Sequence, residues 1–300
     1  MNPDSERGDD DPERELGQFI PLHYHGQMLA SPARMLGFRD AIAHAVPAGG
    51  VVLELGAGTG VLSFFAAQRA SRVYAVERLA DNAAAARALL ARNGVADRVT
   101  VIHADARDYL PPTRVDVVIC ELLHACLLRE QQAAVIADFK TRYLERFGPP
   151  LPLFVPEAIF LAVQPLEQQF NFYGFEAPVP LFVDRTSPPL PGNEVRELAP
   201  PQLYAHFEYA EPYPMRFAWS GSFTATEDGE LTALRFITKN ILTVVLEEQR
   251  TADWVMSELV MPVPAPVALR AGQVVTVSFD YEAGASIPDL SRSIVVTAGA

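Results

Sequence analysis

The sequence predicts an α/β unit built on a parallel sheet, followed by an all-β unit. Three observations carry that prediction. Across residues 19–153, short apolar strands alternate with alanine-rich helical stretches, the mark of βαβ units. A glycine-rich loop joins the first of these strands to the helix behind it. Gly148-Pro149-Pro150-Leu151-Pro152 then ends the pattern, and beyond it helical periodicity vanishes while proline density rises. The boundaries drawn are 1–18 for a tail, 19–153 for the α/β unit and 154–300 for the β unit.

The tail comes first. Asp4, Glu6, Asp9, Asp10, Asp11, Glu13 and Glu15 stand against only Arg7 and Arg14, with Pro3, Gly8 and Pro12 among them. Such a segment reads as disordered and solvated. It has no apolar stretch of the kind a signal peptide needs. Residues 50–55, 72–76, 99–103 and 115–120 read as buried strands, and 61–70, 79–92 and 130–147 as helices, with Asn93-Gly94 stopping the second. Downstream, residues 159–164, 216–225, 231–237, 241–247, 255–260 and 274–281 read as antiparallel strands of a sandwich or barrel. The proline-rich stretch 182–201 reads as an excursion outside it.

Composition narrows the classes. An apolar fraction of 49% with 20% charged residues is globular, which excludes fibrous structure and whole-chain disorder. No apolar run approaches the roughly 18 residues of a membrane-spanning helix. The net charge, 24 − 37 = −13, disfavours nucleic acid and anionic membranes and favours a cationic partner. Two cysteines, Cys120 and Cys126, make no disulfide framework and fit a reducing cytoplasm.

Glu54-Leu55-Gly56-Ala57-Gly58-Thr59-Gly60 lies at a strand end and opens a helix. Gly56, Gly58 and Gly60 permit tight turning and close approach of backbone to a ligand. The dinucleotide fingerprint wants a glycine three positions after the second, and Val61 stands there. A loop with no pyrophosphate to cradle suits an uncharged nucleoside such as that of S-adenosylmethionine; a nicotinamide cofactor is the alternative for this part alone. Glu77 ends the second strand, where a carboxylate accepts both ribose hydroxyls. Asp105, after the third, is placed to accept from an adenine amino group.

Glu121 follows the fourth strand and Glu130 lies nine residues on, across an apolar loop. Two carboxylates can clamp one planar guanidinium and fix its geometry. Equally, Glu130 can cap the next helix, where an acid is favourable near the N-terminus. His124, inside the loop, is either a proton acceptor or a packing residue. His23-Tyr24-His25 lacks companion ligands elsewhere, so no metal is expected.

At this point the sequence resembles the protein arginine methyltransferases. The glycine loop, Glu77, the nine-residue spacing of Glu121 and Glu130 with Cys126-Leu127 between them, and Phe154-Val155-Pro156 are similar to that family. So is His25-x-x-Met28-Leu29-x(4)-Arg34, which matches the family's cofactor-capping helix. The resemblance implies a Rossmann-like class I methyltransferase domain followed by a β-barrel-like domain, with S-adenosylmethionine as cofactor. Its site would use His25, Met28, Arg34, Glu54, Gly56, Gly58, Gly60, Glu77 and Asp105 for the cofactor, Arg34 meeting the cofactor carboxylate. Glu121 and Glu130 would be catalytic, and the acceptor would be cationic, a guanidino group on a protein or peptide. Tyr173-Gly174-Phe175 precedes the stretch where the family places a dimerisation arm, which implies a homodimer.

Departures are concentrated around the acceptor. Where the family has Thr-His-Trp, this sequence has Ala252-Asp253-Trp254, and the aspartate that pairs with that histidine is here Ser31. Phe19 replaces a tyrosine, and Leu122 and Ala125 replace aromatic residues. Asp253 and Trp254, with His124, are therefore candidate acceptor contacts, Asp253 being either a third acid at the site or a solvated loop residue. Two rival functions stay open: a small-molecule N- or O-methyltransferase on the same architecture, and a non-catalytic cofactor-binding interaction protein.

Overall fold

The computed structural model describes residues 20, 22–184 and 191–299; the acidic tail, Phe19 and the middle of the 182–201 stretch lie outside the described residues. Two helices lead, α1 (Leu22–Leu29) and α2 (Pro32–Ala45), the latter with proline in its first turn behind the N-cap Ser31. Then follow β1 (Val51–Leu55), α3 (Val61–Ala66), β2 (Arg72–Glu77), α4 (Ala80–Arg92), β3 (Val99–His103), β4 (Val117–Cys120), α5 (Gln132–Phe147) and β5 (Leu153–Val155). The strands form one parallel sheet in the order β3-β2-β1-β4-β5.

Both faces of that sheet are covered, which is why β1 and β4 are nearly continuous apolar runs. Val52, Val73, Val117 and Ile119 pack with Phe38 and Ile42 of α2, Leu62 of α3 and Leu90 of α4. Leu53, Leu55 and Val118 point the other way, toward Ile136, Phe139 and Tyr143 of α5. The second core does not stop at the boundary drawn from the sequence. It continues through Phe154, Ile159, Leu161 and Phe236 to Phe217 and Phe279, so the two halves share one interior. The 153/154 boundary itself falls inside β5, which pairs with β4.

The second half comprises β6 (Ala158–Gln168), β7 (Asn171–Phe172), β8 (Phe175–Glu176), β9 (Leu181–Val183), β10 (Val195–Glu197), β11 (Gln202–Glu208), β12 (Arg216–Thr224), β13 (Gly229–Val245), β14 (Arg250–Val255), β15 (Glu258–Leu269), β16 (Val274–Glu282), α6 (Ile287–Ser293) and β17 (Val295–Ala298). A seven-stranded sheet runs β10-β6-β13-β15-β9, with β11 on β6 and β14 on β13, and β12-β16-β17 form a second sheet. Among the described residues no strand pairing closes these sheets into a barrel, and the two sheets share a core. Two further expectations change. The strands expected at 231–237 and 241–247 are one strand, β13, and the stretch 182–201 contributes β9 and β10 to the larger sheet.

Candidate active site

The glycine loop leaves β1 with Gly56 at φ +83° and Gly58 at φ +53°, backbone that a side chain would strain. Space forbids one as well. A Cβ on Gly58 would sit 2.5 Å from Cε1 of His25, which α1 lays over the loop, and one on Gly56 would strike Leu122. Glu77, at the end of β2, accepts the Gly58 and Leu79 N–H groups, both at 2.8 Å. Its carboxylate thus fixes the loop while each oxygen keeps a lone pair for another donor. Asp105 accepts the Arg107 N–H at 2.9 Å and pairs with Arg78 at 3.2 Å. Met28, half-buried, follows His25 by one turn of α1.

Glu54 is fully buried under the loop, accepting from the Ser63 hydroxyl of α3. Burial pushes its carboxyl up to about 8. Its role in the structure is to tie β1 to α3. The His25 Nε2 and the Arg34 Nε are buried polar atoms without a hydrogen-bond partner, and burial lowers the His25 imidazole below its usual value.

Across the loop lies an acidic site. Glu121 leaves β4 and accepts from the guanidinium of Arg34, in the first turn of α2; each side chain is 11% exposed. The Arg34 guanidinium also lies 5.6 Å from the ring centroid of Trp254 on β14. Burial raises the Glu121 carboxyl, with Arg34 opposing, while burial and then the charge of Glu121 push Glu130 well above the usual carboxylate range. The helix-cap reading of Glu130 does not hold. α5 begins at Gln132, behind Gln131, and Glu130 stays in the loop.

The β half holds this loop in shape. Cys126, Leu127 and Arg129 have φ of +61°, +57° and +62°, values that persist only where surroundings impose them. Thr238 Oγ1 accepts the Cys126 N–H at 2.8 Å and the Tyr281 hydroxyl donates to the Cys126 carbonyl at 3.0 Å. Gly284 N–H donates to the Leu127 carbonyl and Arg129 N–H to that of Ala285. Fully buried Gln132 latches the start, donating to the Cys120 carbonyl at 2.7 Å and accepting the Leu122 N–H at 2.8 Å. Thr238→Val, which orphans the Cys126 N–H, is expected to lower unfolding stability by roughly 1–3 kcal/mol. Hydrogen exchange should show faster exchange at residues 126–129 than elsewhere in the chain.

Not every expected contact is brought together. Trp254 joins the site, but Asp253 pairs with Lys239, and neighbouring positions on a strand face opposite sides. It is no third acid beside Glu121. His124 packs edge-on against Phe182, 5.3 Å between centroids, and burial lowers it to about 4, so it is neutral near pH 7. Arg34, expected on a cofactor carboxylate, pairs with Glu121. Gln132, Thr238 and Tyr281 also serve the site; of these only Thr238, a polar residue breaking an apolar run, leaves a signal in the sequence. Among the described residues no helix is long and apolar enough to cross a membrane, and no His, Cys, Asp and Glu side chains group as metal ligands.

Comparisons with known proteins bear on this geometry. Residues 52–143 match a family model described as a methyltransferase domain. An uncharacterized protein of Methanothermobacter thermautotrophicus is 36% identical over 154 residues, 51% of this chain and 58% of that protein. Protein arginine N-methyltransferase 2 of Xenopus tropicalis is 34% identical over 146 residues, 46% of this chain and 34% of that protein. The matched stretch is thus about a third to just over half of these relatives' own length. In fold, the chain is similar to a Trypanosoma brucei PRMT1 enzyme–prozyme complex with AdoHcy (TM-score 0.70, 19% identity, 93% of this chain and 98% of that one). Arabidopsis thaliana protein arginine methyltransferase 10 gives a TM-score of 0.70 at 18% identity, covering 88% of each chain. The chain therefore carries a class I methyltransferase domain followed by a β-rich domain, and is related to the protein arginine methyltransferases at the level of fold and domain.

Proposed function

We propose that the protein is an S-adenosylmethionine-dependent methyltransferase acting on a guanidino nitrogen of an arginine-type group on a protein or peptide. The observation that carries this reading is the pair of buried glutamates, Glu121 and Glu130, on a strained loop beside a glycine cradle. The cradle suits the cofactor. Gly56 and Gly58 have no room for a Cβ, Glu77 has acceptor capacity left, and His25 and Arg34 each carry a buried nitrogen still to be paired. S-adenosylmethionine, when bound, supplies a sulfonium methyl open to displacement.

The chain's own groups do the rest. Glu77 accepts from ribose hydroxyls and Asp105 from the adenine amino group. Arg34, with five donors, can meet a cofactor carboxylate without leaving Glu121 wholly. Glu121 and Glu130 hold the guanidinium plane and concentrate its charge away from the attacking nitrogen. The raised basicity of Glu130 suits it to take the proton that nitrogen sheds. The exposed tip of the β7–β8 hairpin, with Tyr173 93% and Phe175 71% exposed, supports a homodimer. A cytoplasmic setting belongs to the same proposal.

The low exposure of Glu121 and Arg34 favours, as a second reading, a small guanidino compound as acceptor. Calorimetric titration should give micromolar S-adenosylmethionine binding, weakened severalfold in Gly58→Ala, because a Cβ there meets the His25 ring and displaces it from the loop. Labelled-methyl transfer to arginine-rich peptides, set against small guanidines, then separates the two acceptors. A folded protein that binds no cofactor would sink the proposal.

A further inference from the structure

We infer that Asn240 contacts the methyl acceptor and selects for a planar group rich in N–H donors; the inference rests on the guanidino reading above. Asn240 is fully buried in β13, and neither its Oδ1 nor its Nδ2 has a hydrogen-bond partner. The large majority of buried side-chain polar groups are paired, because an unpaired one bears its full desolvation penalty. A group kept in that condition needs a reason, and its position supplies one.

Thr238 and Asn240 lie on the same face of β13. Thr238 reaches Cys126, in the loop between the two glutamates. Leu242, two residues further, lies against Gly37 on α2, the helix that carries Arg34. In register Asn240 stands opposite Trp254, so the two side chains share a face. The Trp254 ring in turn faces the Arg34 guanidinium, which pairs with Glu121. The amide therefore looks into the space between the glutamate loop and α2, where the acceptor has to sit.

A carboxamide offers what the glutamates cannot. Its oxygen accepts an N–H that the two carboxylates leave over, so that oxygen is paired only with the acceptor in place. Asn240 is thus a specificity-determining residue whose loss shows in acceptor binding and not in cofactor binding.

The test compares Asn240→Leu and Asn240→Ala with the unaltered protein. Three readouts are taken: calorimetric S-adenosylmethionine affinity, thermal midpoint, and kinetics of labelled-methyl transfer to an arginine-containing peptide and to a small guanidine. Expected are a cofactor Kd within twofold, a midpoint for Asn240→Leu at or above that of the unaltered protein, and kcat/KM reduced at least tenfold in both variants through KM. Both variants retaining kcat/KM within twofold, beside an active unaltered enzyme, would make Asn240 a packing residue and overturn the inference alone. An unaltered enzyme that binds cofactor yet methylates neither acceptor would overturn the guanidino reading and this inference together.

Discussion

Glu130→Gln is expected to cut methyl transfer about 10²–10³-fold, the scale of removing one preorganised charged partner from a buried site, while raising the thermal midpoint. Glu121→Gln should cut transfer as deeply but lower the midpoint. The two glutamates differ in what they leave behind. Burial and the charge of Glu121 both penalise an ionised Glu130, so a neutral isostere removes that penalty. Glu121 pairs with Arg34, and its loss strands a guanidinium that is only 11% exposed. Breaking such a pair by removing one partner costs on the order of 3 kcal/mol. Cofactor affinity should be unchanged in Glu130→Gln, which calorimetry checks beside the melting curves. Equal midpoint shifts of the same sign in both variants would contradict the pairing of Arg34 with Glu121. Because both carboxyls titrate above the ordinary carboxylate range, transfer should also rise with pH as they ionise.

The same contrast shows what could be read from the sequence. The placement of Gly56, Gly58, Glu77, Asp105 and Glu121 at or just after strand ends is legible because strand ends follow from apolar runs. The pairing of Arg34 with Glu121 spans 87 positions and leaves no local trace. Thr238-Lys239-Asn240 interrupts an apolar run, so the pattern suggests two strands where β13 is one. The interruption is chemical and not structural: Thr238 is polar because a strained loop needs an acceptor for Cys126. Asp253 and Trp254 differ by one position, and alternation alone decides which faces the site. Residue type could not choose between them; register did. Barrel closure is unreadable for a related reason, since strand count shows in the sequence while closure depends on long-range pairing.

Glu54→Gln is expected to flatten the pH dependence of stability across the neutral range. A carboxyl at about 8 in the folded chain, against 4.5 when exposed on unfolding, makes the folded state hold a proton that the unfolded state has released. The stabilisation is complete below about 4.5 and is lost as pH rises toward about 8, at up to about 1.4 kcal/mol per pH unit. Between about pH 5 and pH 8 that amounts to on the order of 4 kcal/mol, which denaturant midpoints resolve readily. Glutamine, neutral throughout, should match the unaltered protein near pH 5 and exceed it near pH 8.5. The proton also has a functional consequence. Glu54 lies close enough to Glu77 and Glu121 for their charges to raise it further, so its neutrality spares both a third negative neighbour. A protein whose stability falls just as steeply with pH after Glu54→Gln would locate the proton elsewhere, with Glu121 and Glu130 the next groups to substitute. A flattened slope would instead show that the strand beneath the glycine loop is held by a carboxylic acid and not by a carboxylate.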